Sequence, residues 1–134
     1  MTFSATRLFP LLLMLALALL TSRQSDAVKL RAAELGIAHV MQGSRDKQAH
    51  FAALLALLAI DPEHAGYMGD DLVDLPVLRR CGFACAPPGA PELVQRHAHY
   101  VASAAAGAGA VREVCEFILH AQGKLEGVLA GYLA

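Results

Sequence analysis

The first 25 residues of this 134-residue chain contain no carboxylate; the acidic residues begin at Asp26. If its chemistry needs two groups of carboxylates, the chain supplies only the later one. A basic excess is missing as well. Eleven Lys and Arg against twelve Asp and Glu leave a net charge of −1, and the three lysines and eight scattered arginines form no stripe, which excludes nucleic acid as a partner. Cysteine is scarce: Cys81, Cys85 and Cys115 are odd in number and match no zinc or disulfide spacing, so they read as small buried hydrophobes in a reducing compartment. A membrane-length run is absent too, because the longest apolar stretch, Leu8 to Leu20, falls short of the ~20 residues that a spanning helix needs.

That stretch has two readings. With Arg7 as the preceding charge and Ser25-Asp26-Ala27 as a small-residue cleavage site, residues 1–27 could be an export signal. Alternatively, its end is a buried parallel strand, since Thr21-Ser22-Arg23 follows at once and a helical pattern starts at Ser25. The strand reading is preferred, and it implies a cytoplasmic protein that does not associate with membranes. At this length, one domain over residues 1–134 is expected, large enough to bury its own core.

What the chain does have is alternation. A helix capped by Ser25 runs to Leu35 and stops at Gly36, Ile37 to Met41 is a short strand, and Gly43-Ser44 turns into a helix over 46–60 that Asp61-Pro62 ends. From Phe51 to Ile60 that helix is apolar nearly all round, which predicts burial on both sides or a subunit interface. A strand over 65–69, a helix over 75–81 closed by Gly82, a strand over 83–86, the Pro87-Pro88-Gly89 turn and a short helix from Pro91 follow. A strand near Tyr100 and Val101 comes next, then a small-residue loop over 104–108 and a helix over 110–122. Strands and helices at this spacing build βαβ units: an α/β fold with a parallel sheet flanked by helices.

Three of the twelve acidic residues crowd into five positions, at Asp70, Asp71 and Asp74. Crowding of this kind is costly unless a cation offsets it, and hard oxygen ligands at a strand's C-terminal edge suit Mg²⁺. The competing reading is a strand-to-helix turn in which Asp74 is an N-cap and Pro76 sits in the first helical turn. Loops at the C-terminal ends of parallel strands converge on one edge, which brings Thr21, Lys47 and Asp70 together. A hydroxyl, an ammonium and a metal-binding carboxylate suit a phosphoryl group. His97 and His99 could chelate a metal but read better as solvated helix-end histidines.

The ordered set resembles a known family. The apolar strand with Thr21-Ser22-Arg23, then Leu35-Gly36-Ile37, Gln42-Gly43 and Lys47 come first. Gly69-Asp70-Asp71-x-x-Asp74-x-Pro76-Val77, Gly109 to Cys115 and Ala121-Gln122-Gly123-Lys124-Leu125 complete it. It is similar to the haloacid dehalogenase (HAD) superfamily, and within it to the 3-deoxy-D-manno-octulosonate 8-phosphate (KDO 8-phosphate) phosphatases, over roughly residues 17–125; residues 1–16 do not fit. The resemblance implies a Rossmann-like fold and a Mg²⁺-dependent phosphomonoesterase of lipopolysaccharide precursor synthesis, working on a phosphorylated acid sugar through an aspartyl-phosphate. Thr21 would hold phosphate, Lys47 would stabilise its charge and Asp70 would bind the metal. Asp71 and Asp74 would orient the metal's water and Lys47 from behind, and Arg23 and Lys124 would contact substrate. The family is tetrameric, and its C-terminal tail reaches a neighbouring subunit's site.

One motif of the family has no counterpart. Members begin with a strand bearing Asp-x-Asp, whose first carboxylate attacks phosphorus and whose second is the general acid; no residue here matches either. The chain is therefore expected to be an N-terminally truncated member without a nucleophile, inactive as it stands. Ser22 replaces a usual glycine, and Ala106 and Ala108 stand in a loop that is usually glycine-rich. A non-catalytic remnant that binds or assembles with an intact relative, and an exported small protein, are the alternatives.

Overall fold

The computed structural model describes residues 16–134. Five short strands alternate with helices: β1 (Ala18–Leu20), α1 (Asp26–Glu34), β2 (His39–Met41), α2 (Lys47–Leu58), β3 (Gly66–Met68), α3 (Leu75–Leu78), β4 (Phe83–Ala86), α4 (Glu92–Arg96), β5 (Tyr100–Val101), α5 (Ala110–Ala121) and α6 (Leu125–Ala130). Two 3-10 turns, Pro62–His64 and Leu72–Asp74, flank β3. The order of elements from β1 to α5 follows the sequence pattern, α6 is an addition to it, and every strand pairing is parallel. The export alternative for residues 1–27 falls mostly outside the described residues, but Leu17 to Leu20 does end in a strand.

The expected single sheet is two sheets. β1 pairs with β2, and β3, β4 and β5 form a second sheet with β4 in the middle. Among the described residues β1 and β3 do not pair, yet α2 touches both sheets: it packs on β1, and Phe51 meets the Tyr67 ring of β3 edge-on at 6.0 Å. Paired on one side only among the described residues, β1 is not the fully buried strand expected, and Ala18 is exposed.

The core lies under β4. Val77 and Leu78 of α3, Val94 of α4 and Ala84 and Ala86 of β4 are almost wholly buried with Phe51 and Leu55 of α2. Burying a side chain such as Leu78 contributes about 1.5–3 kcal/mol relative to leaving it exposed. Gly82 lets the chain turn between α3 and β4: a side chain there would meet the Glu63 carbonyl oxygen at 1.8 Å, so only glycine fits beneath the first 3-10 turn.

Three expectations need correction here. Of the two alternatives for the long apolar helix, burial on both sides within the chain does not hold, which leaves the subunit interface: Phe51, Leu54 and Leu55 face inward while Ala52, Ala53, Ala56 and Leu57 are exposed, Leu57 at 70%. It ends at Leu58, with Ala59 in the left-handed region, before Asp61-Pro62 is reached. α3 stops at Leu78 rather than 81. Cys81 and Cys85 are buried as expected, burial pushing the Cys85 thiol up to about 12, but Cys115 sits on the outer face of α5.

Candidate active site

The acidic loop is shaped by a close approach. β3 ends at Met68, and a side chain at Gly69 would place its first carbon 2.4 Å from the Asp74 Cβ. The chain can therefore fold Asp74 back against the strand end only because position 69 is glycine. The Leu72–Asp74 turn completes the return, with the Asp71 carboxylate accepting from the Leu72 N–H at 2.7 Å.

Asp74 occupies the N-cap position of α3, and Pro76 lies in the first turn, but its side chain does not cap that helix. It turns inward instead. Oδ1 accepts from Lys47 Nζ at 2.6 Å and from the Tyr67 hydroxyl at 2.7 Å; Oδ2 accepts from the Asp70 and Asp71 N–H groups at 3.1 and 3.2 Å. A buried carboxylate has about four acceptor sites, and all four are used, which is why capping loses. Burial pushes the Asp74 carboxyl upward, but the bonds from Lys47, Tyr67 and the backbone outweigh it and hold the group below its usual range. The Tyr67 phenol moves the other way, raised by burial and by its bond to Asp74, and so remains a hydroxyl donor.

Lys47 opens α2. Asp46 caps the helix by accepting from the Ala49 N–H at 2.9 Å, and this sets the first turn from which Lys47 reaches Asp74. The β2–α2 loop is fastened in turn to the end of β1: the Thr21 N–H bonds the Met41 carbonyl at 2.9 Å, and the Ser44 N–H bonds the Thr21 carbonyl at 3.1 Å. Thr21 and Lys47 are thus held on adjoining loops at one strand edge, as the spacing predicted. The Thr21 hydroxyl accepts from the Arg23 N–H at 3.2 Å, which places Arg23, exposed, beside the same edge.

The expected roles separate on inspection. Asp74, not Asp71, touches Lys47; Asp71 is exposed and serves its own turn. Asp70 is exposed, and among the described residues no hydrogen bond or ion pair engages its carboxylate. Its charge, hard oxygens and place at a strand's C-terminal end fit one ligand of a Mg²⁺ ion, whereas Asp74 has no acceptor site left for metal. Three ligand-type side chains do gather within 4.8 Å of one another among the described residues, but elsewhere, at the exposed Asp61, Glu63 and His64. Lys124 precedes α6 and is exposed; among the described residues no hydrogen bond or ion pair links its side chain to Thr21, Lys47 or Asp70. His99 is no free chelator: its Nδ1 accepts the Ala84 N–H at 2.8 Å, and its ring stacks on Phe83.

Two features escaped the sequence reading. Tyr67 lay inside an apolar run, and only its hydroxyl, two positions ahead of the glycine, could have marked it. Gln42 clamps the start of α1, accepting from the Ser25 N–H at 2.7 Å and donating to the Ser25 carbonyl at 3.1 Å; the two line a polar hollow of about 320 Å³ with Gln24, Asp26 and Lys29.

A model of haloacid dehalogenase-like hydrolases matches residues 17–114, the span that holds Thr21, Lys47, Asp70 and Asp74. The chain belongs to that family. It is 47% identical over 109 residues to the 3-deoxy-D-manno-octulosonate 8-phosphate phosphatase of Escherichia coli, covering 81% of this chain and 58% of that protein. The Yersinia pestis phosphatase is 46% identical over 110 residues, 82% of this chain and 59% of the relative. The chain thus spans a little under three fifths of the relatives it matches. Among solved structures, the Moraxella catarrhalis phosphatase in complex with magnesium, phosphate and KDO superposes with a TM-score of 0.84 at 41% identity, over 86% of this chain and 66% of that one. The cobalt-bound phosphatase from Haemophilus influenzae gives 0.79 at 35% identity, over 84% and 67%.

Proposed function

We propose that this chain carries the phosphate- and metal-binding half of a Mg²⁺-dependent phosphomonoesterase whose substrate is KDO 8-phosphate or another phosphorylated acid sugar. One observation carries the reading: the Thr21 loop, the buried Lys47–Asp74 pair and the unengaged Asp70 carboxylate stand at the C-terminal ends of β1 and β3, against a single helix. The likeness to phosphatases, one of them holding magnesium, phosphate and KDO, supports it.

In this reading the Thr21 hydroxyl and the free N–H groups of Lys47 bind phosphoryl oxygens, and Asp74 keeps the ammonium aimed. Mg²⁺, held in part by Asp70, would neutralise phosphoryl charge. Arg23 stands close enough to Thr21 to meet substrate, while Lys124, exposed ahead of α6, would contribute from a neighbouring subunit of a homotetramer. A cytoplasmic place fits a sugar-phosphate substrate, and no helix of the described residues is long and apolar enough to cross a membrane.

The nucleophile has no candidate among the described residues, whose carboxylates at this edge are already assigned. The split sheet supports a supplier. Among the described residues β1 and β3 each pair on one side only, and a further parallel strand between them would bring an attacking carboxylate toward Thr21, Lys47 and Asp70.

Purified alone, the chain should hydrolyse phosphomonoesters at no more than background, because loss of a covalent nucleophile costs many orders of magnitude. It should bind Mg²⁺ only weakly, at roughly 10⁻³ M, with one assigned carboxylate. Light scattering should show aggregates or oligomers. Adding a strand that bears Asp-x-Asp, fused upstream or as a separate peptide, should yield a soluble form with Mg²⁺-dependent turnover that Asp70→Ala abolishes. Turnover by the chain alone that survives re-purification and is lost in Asp70→Ala, or a completed chain that stays inert, would sink the reading.

A further inference from the structure

The lysine and the tyrosine that meet on Asp74 are also joined from behind. Lys47 and Phe51 stand four residues apart, on one face of α2. Lys47 bonds Asp74, Asp74 accepts from Tyr67, and the Tyr67 ring packs edge-on against Phe51 at 6.0 Å. The contacts close a ring that fixes the helix face against the end of β3.

Within that ring the Asp74 carboxylate has little freedom. Gly69 crowds its Cβ, and two backbone N–H groups occupy Oδ2. Oδ1 has room for two donors. One is the ammonium at 2.6 Å, the other the phenol at 2.7 Å. Without the phenol, one acceptor position of Oδ1 would stand empty, and only the ammonium itself would fix where Oδ1 points.

We infer that Tyr67 is a positioning residue: by bonding the same Oδ1 it fixes the direction in which Asp74 meets the Lys47 ammonium, and so aims the other two ammonium N–H groups at an anion at the strand edge. The Lys47 side chain is 12% exposed, so the ammonium is not sealed from that edge. The inference rests on the phosphatase reading for the nature of the anion, but not for the geometry of the lysine.

The experiment uses the full chain labelled with ¹³C,¹⁵N-lysine, whose three lysines Lys29, Lys47 and Lys124 give three ε-methylene signals, that of Lys47 being the one lost in Lys47→Met. The probe is inorganic phosphate with Mg²⁺. In Tyr67→Phe, which keeps the ring against Phe51, the Lys47 signal should move while the other two stay. Phosphate should bind about tenfold more weakly, the loss of one charge-assisted hydrogen bond. A purely structural tyrosine would lower the unfolding midpoint and leave both readouts alone.

If wild type binds phosphate and either readout is unchanged in Tyr67→Phe, the inference is overturned and the phosphatase reading survives. If wild type binds no phosphate but the Lys47 signal moves, the positioning stands and the phosphatase reading falls. Should Tyr67→Phe not fold cooperatively, Phe51→Leu loosens the same ring from its other side, and an unmoved Lys47 signal there overturns the inference.

Discussion

The two sheets are built to different standards. In the β3–β4–β5 sheet the central strand is shielded on both edges, and Ala84, Cys85 and Ala86 are at most 1% exposed, with α3 and α4 packed against it. In the β1–β2 sheet no strand residue is fully buried, and α1 buries only Ala32. Yet the candidate chemistry is shared between them: Thr21 ends a strand of the loose sheet, Asp70 follows a strand of the tight one, and Lys47, sent out from the loose side, is received by Asp74 on the tight side. A site can straddle a well-packed and a poorly packed region if one buried ion pair joins them, and the pair then carries structural load as well as charge.

Cutting that joint should bear most on the comparison. Asp74→Ala leaves the part-buried Lys47 ammonium without its partner and frees the Tyr67 hydroxyl, so a loss of about 3 kcal/mol is expected in denaturant unfolding. The pair also sets an acid limit. Because the Asp74 carboxyl is held below its usual range in the folded chain, its contribution is complete above the unfolded value of about 4 and fades as pH falls through the folded one. Asp74→Asn should therefore flatten the stability profile below about pH 4. A stability loss under about 1 kcal/mol in Asp74→Ala would mean that the two sheets are held together by something else.

The contrast in packing can be measured with one substitution in each region. Leu78→Ala removes a side chain that is 1% exposed in the core under β4 and should cost about 2–5 kcal/mol. Leu19→Ala, on the half-buried β1, should cost less than about 1.5 kcal/mol in the same assay. Equal costs would mean that β1 is covered in solution, as it would be by a further strand or a second copy.

The order of elements was legible because each break has a local cause: Gly36 and Gly43 in the left-handed region, Asp46 as a cap, Pro62 in a 3-10 turn and Pro87-Pro88-Gly89 after β4. The residues gathered at the strand edge were legible too, since parallel strands send their following loops to one side. What failed were statements about surroundings. That the α2 alanines face outward, that Cys115 is exposed and that β1 pairs with one strand among the described residues depend on which surfaces meet, which a pattern of apolar residues does not specify. Asp74 is the informative case. Its position announces a cap; the family resemblance points to the lysine 27 residues upstream, but the sequence holds nothing to show that a tyrosine seven upstream bonds the same carboxylate oxygen.

The smallest expected difference lies between two aspartates at helix starts. Asp46 caps α2, the twelve-residue helix that carries Lys47, whereas Asp71 caps a turn of three residues in the better-packed region. Each accepts a backbone N–H, at 2.9 and 2.7 Å, so bond geometry alone predicts equal costs of about 1 kcal/mol for replacement by alanine. Their contexts separate them. Asp71→Ala leaves Asp74 still fastened by Lys47, Tyr67 and the backbone, and should change stability by a few tenths of a kcal/mol at most, because the turn is over-determined. Asp46→Ala frays the first turn of α2 at the residue that makes the ion pair, so its cost should reach about 1–2 kcal/mol and should shrink when Lys47→Met is already present. A double-mutant cycle in denaturant measures this directly. If the two effects simply add, the cap and the ion pair act independently, and the N-terminus of α2 is not what positions Lys47.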